Sequence, residues 1–327
     1  MRISHPLFIL LIIITLSAAS CSSPINSTTA PPPTTYPNTT PDIKPTNAPG
    51  LETIAGSFRN QIGYLEENMP RADSEGYVVP REKEQEDFAE LVAMLGTPDL
   101  ARAAQLAMQN NYTLTYYMDR GDDNAMNYLL RENKPIQKGW GLYAFRVDST
   151  SNIIIEAPHP LYDRRTPSVA MDIYRALNAR ALLIAGAHRN ANSDGSADAA
   201  HTTKSIFHSI HAALSQEIQT ASGNAIILQI HGFHTSKHNG YPRAVFGFGE
   251  KMQGTEFAIA QKLQDALSNQ GISVGLCTGD VWKELCGTKN TQASITHGGL
   301  FIHIELDEKM RKNDDALIAA LTQVFGE

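Results

Sequence analysis

The sequence predicts an α/β fold in which a mostly parallel sheet is flanked by helices, preceded by a helical N-terminal extension. From residue 150 onward, short apolar runs rich in Ile alternate with longer segments of helical periodicity. This alternation is typical of βαβ units and a parallel sheet. Three of the apolar runs end in a turn or a strand terminus that carries a histidine, and open α/β sheets gather ligand and catalytic groups at that edge.

The N-terminus is predicted to be a targeting signal that is not part of the fold. Arg2 precedes an apolar run from Pro6 to Leu16, which is too short to be a comfortable membrane span, and small residues follow it up to Cys21. Residues 1–20 therefore resemble a bacterial lipoprotein signal peptide, with Cys21 as the lipidated first residue of the mature chain. The alternative is ordinary secretion with cleavage near Ala19.

Residues 21–50 are predicted to be a disordered tether, because their Pro- and Thr-rich composition cannot bury apolar area. Such a tether would hold the folded part away from a membrane. We therefore expect a protein of the bacterial cell envelope that faces the periplasm or the exterior and contacts the membrane through its lipid anchor only.

Residues 51–150 are predicted to be a mainly helical region with a hairpin, and nothing in them suggests catalysis. The predicted elements are a helix over 88–95, a helix over 99–110, a strand over 112–117, and a hairpin that pairs 140–147 with 153–155. Gly96 and Pro98 are expected to end the first of these helices.

Residues 151–327 are predicted to form the α/β domain. Its strands are expected at about 153–157, 181–186, 225–230, 272–276 and 299–305, and its helices near 166–178, 201–220, 254–270 and 307–325. The polar segments 190–203 and 232–253 are predicted to be long loops. Both follow strands that deliver histidine, so both should border a functional site.

Composition argues against two classes of protein. The net charge of −7 and the sequence pI of about 5.9 give no electrostatic reason to expect a nucleic-acid partner. The chain has no Gly-x-Ser-x-Gly motif, which disfavours a serine hydrolase of the α/β type.

Cys277 and Cys286 form an even pair once Cys21 is set aside. In an oxidising compartment such a pair can form a disulfide, which would stabilise the fold by about 2–3 kcal/mol through its short loop. The alternative is that both are buried small hydrophobic residues. We predict the disulfide.

Imidazole and carboxylate groups at the strand ends predict a zinc site. His159 and Asp163 follow the first strand of the domain, and His231 follows a later strand with Gly232 beside it. A catalytic zinc ion needs about three protein ligands and one open position. His159, Asp163 and His231 are therefore the predicted ligands of one Zn²⁺ ion. His234 is an alternative to His231.

A second group of residues is predicted to bind the substrate. Arg189 ends a middle strand, and its planar guanidinium suits a carboxylate. A surface ion pair is an equal alternative for this arginine. His188 and Asn190 flank it, and His201 follows the adjoining loop, so we predict that all four contribute to substrate binding.

Glu305 ends the last predicted strand and is the predicted catalytic residue. A carboxylate beside a metal-activated water can act as general base and then protonate a leaving amine. Strand alternation places His303 on the same face as Glu305. The alternative is that Glu305 is a solvent-facing strand residue.

These motifs, in this order, resemble the zinc-dependent carboxypeptidase and N-formylglutamate amidohydrolase group. The resemblance covers about residues 150–311: His-x-x-x-Asp, then Arg-Asn, then His, then Phe-Ile-His-Ile-Glu-Leu. It implies a phosphorylase/hydrolase-like fold, zinc bound by two histidines and an acidic residue, an arginine for the substrate carboxylate and a catalytic glutamate. Carboxypeptidases place their acidic ligand at His-x-x-Glu, so the spacing here departs from theirs.

The expected function is that of an exported, zinc-dependent hydrolase. Its substrate would carry an amide or peptide bond next to a carboxylate-bearing group, as in a peptidoglycan peptide or an N-acyl amino acid. One alternative keeps the fold without a metal and uses the histidines to bind an anion or phosphate. The other is a non-catalytic envelope lipoprotein that binds an anionic ligand in the same cleft.

Overall fold

A mixed sheet of ten strands organises the part of the chain that the structure describes. The structure is a computed structural model, and it describes residues 51–249, 254–278, 281–296 and 299–326. The predicted signal peptide, tether and Cys21 lie outside the described residues. The strands are β1 (Thr53–Gly56), β2 (Tyr112–Asp119), β3 (Ala125–Glu132), β4 (Leu142–Arg146), β5 (Ile153–Ala157), β6 (Ala181–Ile184), β7 (Ile226–Gly232), β8 (Ala244–Gly247), β9 (Val274–Leu276) and β10 (Leu300–Leu306).

Helices cover both faces of this sheet. They are α1 (Phe58–Asn68), α2 (Glu82–Ala93), α3 (Leu100–Gln109), α4 (Thr166–Ala176), α5 (Ile206–Ser222), α6 (Thr255–Ser268), α7 (Thr291–Ile295) and α8 (Asp315–Phe325), with a 3₁₀ turn at Lys283–Leu285. Side chains of α1, α4, α6 and α8 share one apolar core, and those of α2, α3 and α5 share the other. Within β5, Ile153 and Ile155 belong to the first core and Ile154 to the second, as strand alternation requires.

The strand order is β1-β2-β3-β4-β6-β5-β7-β10-β8-β9. The four central strands β6, β5, β7 and β10 are all parallel. Antiparallel pairs join β2 to β3, β3 to β4, β4 to β6 and β8 to β10. The α/β class with helices flanking the sheet is therefore confirmed, and the parallel part lies where the predicted site residues end their strands.

The region before residue 150 is not a separate extension. Its helices α1, α2 and α3 are accompanied by the strands β1 to β4, which continue the sheet on one side. The predicted pairing of 140–147 with 153–155 is wrong, because β6 lies between β4 and β5. Strand β5 has a parallel neighbour on each side, and all five of its residues are buried, as is usual for a central strand of a parallel sheet. The hairpin of this region joins β2 to β3 instead.

Three boundaries near the site differ from the predictions. The segment 232–253 contains β8, a buried strand of four residues that pairs with the end of β10. Helix α5 begins at Ile206, because the side chain of Ser205 accepts a hydrogen bond from the backbone of His208. Helix α8 begins at Asp315, after a separate turn that follows Asp307.

The predicted disulfide between Cys277 and Cys286 is confirmed. It joins the residue that follows β9 to the residue that follows the 3₁₀ turn at Lys283–Leu285. Within the described ranges, none of the helices has the length and apolar character needed to cross a membrane.

Candidate metal centre

The candidate site lies at the carboxyl ends of β5, β7 and β10, on the face that carries α5. In register, Glu305 of β10 pairs with His231 of β7, and His303 pairs with Gln229. Gln229 pairs in turn with Glu156 of β5. Because paired residues of parallel strands point to the same face, these five polar side chains form one continuous patch.

His159, Asp163 and His231 meet in the first part of this patch. Oδ2 of Asp163 lies 3.3 Å from Nδ1 of His159 and 3.1 Å from Nδ1 of His231. All three side chains are buried. Asp163 reaches the two rings because the turn after β5 brings its backbone N–H to the carbonyl of His159, at 2.8 Å.

The outer nitrogen of each ring has a hydrogen-bond acceptor. Nε2 of His159 lies 2.8 Å from Oδ1 of Asp198, and Nε2 of His231 lies 2.8 Å from Oε1 of Gln229. These partners favour the tautomer in which Nε2 carries the proton and Nδ1 has a free lone pair. Histidine ligands of metals are usually held in this way by an acceptor behind the ring. The donor set of two Nδ1 atoms and one carboxylate therefore fits a zinc ion.

Burial and charge set the protonation of the three groups. Where no cation is bound, burial opposes a charge on Asp163, but protons shared with Nδ1 of His159 and His231 outweigh it and hold its pKa below the usual range. A cation bound by the two Nδ1 atoms would take the place of these protons. Burial lowers the pKa of His231 to about 4, so this ring is neutral at pH 7. For His159, burial is outweighed by the carboxylates of Asp163 and Asp198, which raise its pKa.

A buried polar network supports His231 from behind. Nε2 of Gln229 donates to Oε2 of Glu156 at 2.9 Å, and Oε1 of Glu156 lies 2.6 Å from Nδ1 of His211 on α5. Asn290 also donates to Gln229. Glu156, Gln229 and His211 have no exposed surface. The network therefore orients the amide of Gln229, because an unpaired polar group at that depth would be costly.

Asp198 is a site residue that the sequence analysis missed. Its Oδ2 accepts a hydrogen bond from Nη2 of Arg189 at 2.5 Å and lies 3.0 Å from Nδ1 of His201. His159, Asp198 and His201 are a second group with the spacing of metal ligands. The guanidinium of Arg189 is bound to Oδ2 of Asp198, which disfavours a metal ion at this carboxylate. We therefore infer that Asp198 orients the ring of His159 through its other oxygen. Its position in a polar loop gave no signal in the sequence.

Glu305 and His303 form the inner wall of the site. Glu305 is buried, and its Oε2 has no hydrogen-bond partner among the residues that the structure describes. Burial and, next, the charge of Asp163 raise the pKa of this carboxyl well above its usual range. The ring of His303 stacks on that of His231, with centroids 4.2 Å apart. With His231 they make a third group with ligand spacing.

A cavity of about 520 Å³ opens over these groups. Its lining comprises His159, Arg189, His201, His231, Lys283, Glu284, Gly287, Thr288, Lys289, Asn290, His303 and Glu305. The wall from Lys283 to Asn290 was not anticipated, because it begins inside the loop closed by the Cys277–Cys286 disulfide, distant in sequence from the ends of β5 and β7. Lys283 and Lys289 of this wall, together with Arg189, bring positive charge to the cavity.

The predicted substrate residues are only partly brought together. Arg189 and His201 line the cavity, whereas His188 and Asn190 do not. The ring of His188 packs against Tyr162, and Asn190 is exposed and bonds the backbone of Asp73 through its carbonyl. His188 and Asn190 flank Arg189 without lining the cavity, so their part in substrate binding stays a prediction.

His234 is also separate from the cluster. It is exposed, and its Nδ1 lies 2.8 Å from Oε1 of Glu308. His231, at the end of a paired strand, is the histidine that faces Asp163.

Comparison with known proteins found no matching family model and no matching curated protein. Solved structures do match. An N-formylglutamate amidohydrolase from Ralstonia eutropha is 10% identical with a TM-score of 0.36, and the match covers 55% of this chain and 93% of that one. A metallo-carboxypeptidase from Burkholderia cenocepacia is 13% identical with a TM-score of 0.37, covering 76% and 70%. A bacteriophage poly-gamma-glutamate hydrolase is 12% identical with a TM-score of 0.32, covering 54% and 82%.

These matches include both groups that the sequence resembles. Their identities and TM-scores are too low to transfer residue roles or activity to this chain. The chain has an α/β fold with a buried His/Asp cluster at the carboxyl edge of its sheet, and the chemistry of that cluster must be argued from its own residues.

Proposed function

We propose that this protein is an exported, lipid-anchored, zinc-dependent hydrolase that cleaves an amide or peptide bond next to a carboxylate-bearing group. One observation carries the proposal. The Nδ1 atoms of two buried histidines converge on Oδ2 of Asp163, and both histidines line a cavity together with Glu305, whose buried Oε2 has no partner among the described residues.

His159, Asp163 and His231 would hold the zinc ion. Asp198 and Gln229 keep the outer nitrogens of the two rings occupied, so that both Nδ1 atoms face the same point. When bound there, zinc supplies Lewis-acid polarisation and a water of lowered pKa. A site with three protein donors would keep a coordination position open for chemistry.

Glu305 is the group that holds and moves the proton. Its Oε2 faces no hydrogen-bond partner in the described residues, and burial raises its pKa, which makes the ionised carboxylate a stronger base. A carboxylate of raised pKa accepts a proton from the attacking water and can then deliver it to the leaving nitrogen. His303 packs beside it and excludes solvent.

Arg189 and two lysines favour a substrate with a carboxylate. Arg189 is held by Asp198 through Nη2 and lies with its guanidinium carbon 5.2 Å from the ring centre of Tyr162. Lys283 and Lys289 also line the cavity and add positive charge to it. An anionic group is therefore attracted to this cavity, although Glu284 and Glu305 also line it.

The sequence alone supports the cellular setting. Residues 1–20 and Cys21 have the features of a lipoprotein signal, and the disulfide between Cys277 and Cys286 suits an oxidising compartment. In a bacterial envelope, the substrates of this class are peptidoglycan peptides and N-acyl amino acids.

The test uses the soluble mature chain without its lipidated Cys21, starting at Ser22, with zinc content and turnover measured together. The substrates are peptides and N-acyl amino acids, and each is tested in two forms, one with a free carboxylate and one in which that carboxylate is amidated. We expect one zinc ion per chain, and a preference for the free carboxylate. Glu305→Gln should keep the zinc and lose turnover by a factor of about 10² or more. Glu308→Gln should change neither, because Glu308 is a nearby half-buried glutamate whose side chain binds His234 outside the cavity lining.

A wild-type chain that takes up no zinc would overturn the hydrolase. Full turnover in Glu305→Gln would remove the proposed role of that residue. Zinc uptake with tight binding of the forms with a free carboxylate, but without cleavage, would favour the non-catalytic envelope lipoprotein.

A further inference from the structure

We propose that Arg311 is a positioning residue of the site, which holds the segments carrying Asp163, His231 and Glu305 in register with one another. This inference rests on the proposed function, because it concerns the same zinc site. Arg311 lies outside the cavity lining, and the sequence analysis did not single it out.

The guanidinium of Arg311 binds three backbone carbonyls. Nε donates to the carbonyl of Arg164 at 2.9 Å, and Nη1 donates to the carbonyl of Phe233 at 3.1 Å. Nη1 also donates to the carbonyl of Leu306. Arg164 follows Asp163 directly, Leu306 follows Glu305 directly, and Phe233 is two residues after His231. One side chain therefore touches each segment that carries a proposed functional residue.

Burial makes this arrangement specific to arginine. Arg311 is only 5% exposed, and its charge is compensated by carbonyl dipoles rather than by a direct ion pair within the described ranges. A planar fork can serve several acceptors from fixed directions, whereas an ammonium group is a single point. Gly232 packs directly against the guanidinium, since a Cβ at this position would overlap Nη1.

The turn that presents Arg311 is anchored to β10. Oδ1 of Asp307 accepts a hydrogen bond from the backbone of Met310 at 2.6 Å, and the carbonyl of Asp307 accepts one from the backbone of Arg311 at 3.1 Å. Nε of Arg243 donates to Oδ2 of Asp307 at 3.1 Å. The base of the arginine is thus fixed relative to Glu305, two residues before Asp307.

The contact to Arg164 has the largest consequence for the metal centre. Strands β7 and β10 are already held together by their ladder, including the pair of Glu305 with His231. Asp163 lies in the turn between β5 and α4, outside the ladder. Arg311 therefore ties this turn to the two strands, and its loss should displace the Asp163 carboxylate from the two rings.

The experiment measures zinc affinity by competition with a chromogenic chelator, on the mature chain, together with kcat and KM at saturating zinc. The variant is Arg311→Lys, which keeps the charge and loses the fork. Arg175→Lys is the matched control, because Arg175 also makes a buried double contact, to Asp119, far from the site. Thermal unfolding is recorded for every variant.

We expect Arg311→Lys to weaken zinc binding by a factor of about 10 to 100, the range found when groups behind metal ligands are removed. Its kcat should fall more than its KM rises. Arg175→Lys should lose thermal stability and keep both zinc affinity and kcat. Gly232→Ala displaces the guanidinium without removing it, so it should reproduce the zinc defect even where Arg311→Lys does not fold.

Zinc affinity within twofold of wild type in either site variant, with unchanged kcat, would overturn the positioning role while leaving the proposed function intact. A wild-type chain that binds no zinc would overturn the proposed function, and the inference would fall with it. An equal loss of zinc affinity in Arg175→Lys would show a general effect of destabilisation and would also reject the inference.

Discussion

Nε2 of His231 lies 2.8 Å from Oε1 of Gln229, two residues earlier on the same strand. The amide cannot rotate away, because its Nε2 is bound to the buried carboxylate of Glu156, which is bound to His211. The nitrogen of His231 that faces Asp163 is therefore specified from inside the protein, by a series of buried polar groups that ends on α5.

Replacing Gln229 tests the role of this series of buried hydrogen bonds. Gln229→Met keeps the volume but removes the acceptor behind His231, so we expect zinc affinity to fall by a factor of about 10 to 100. The ring would then be free to present either nitrogen. Gln264→Met is a suitable control, because Gln264 bonds a backbone carbonyl far from the site. Equal zinc affinities in wild type and Gln229→Met would show that the network is dispensable for binding.

Asp198→Asn should separate two roles of one carboxylate. The amide oxygen can still accept from His159, so we expect a smaller loss of zinc affinity than in Gln229→Met. The loss of charge releases Arg189, whose position then varies, and KM for carboxylate substrates should rise severalfold. Asp194→Asn serves as the control in the same loop, since Asp194 is exposed and bonds the backbone of Ser196. Steady-state kinetics at saturating zinc would reveal the difference, and an unchanged KM would contradict it.

Zinc should stabilise the fold through its ligands. At a free concentration 100 times the dissociation constant, binding adds about 2.7 kcal/mol to the free energy of unfolding. His159→Ala should abolish this gain, whereas His234→Ala should retain it, because His234 binds Glu308 instead. The measurement is the melting temperature with zinc and with a chelator. A gain of the same size in His159→Ala would place the zinc elsewhere.

The disulfide should matter more for stability than for chemistry. Replacing both Cys277 and Cys286 by Ser opens a short loop, and we expect a loss of about 2–3 kcal/mol in the free energy of unfolding. The wall from Lys283 to Asn290 begins inside this loop, so KM should rise moderately while zinc affinity stays constant. Denaturant unfolding and zinc titration of the double variant check both expectations. A loss of zinc binding would tie the disulfide to the centre itself.

Acid should destabilise the metal-free protein partly through His208. Burial and, next, the charge of His211 lower the pKa of His208 from 6.5 to about 4. Between these values the unfolded chain binds more protons, so the free energy of unfolding decreases as the pH falls from 6.5 to 4. His208→Gln should reduce this slope by up to about 1.4 kcal/mol per pH unit. Unfolding curves at stepped pH, with chelator present, give the slope, and identical slopes would disprove the contribution.

Much of the site could be predicted because its residues follow apolar runs of strand character. His231 and Glu305 end such runs, and their pairing in register follows once β7 and β10 are parallel neighbours. Asp198 could not be found in this way, since it reaches His159 from a long polar loop. Lys289 and Asn290 line the cavity because the chain returns to it after the disulfide. Arg311 could not be predicted either, because its partners are backbone carbonyls, which every residue has and which therefore leave no pattern in the sequence.

The amino-acid pattern by itself determined the α/β class, the disulfide partners and the histidine and carboxylate groups at the strand ends, because alternation, β-branched runs and cysteine number act locally. Only the tertiary structure decided that the strands before residue 150 extend the same sheet, that β6 separates β4 from β5, and that Asp198, Gln229 and Arg311 stand behind the site. These outcomes depend on which strands become neighbours and which buried polar groups find partners, and both are settled by packing across long sequence separations.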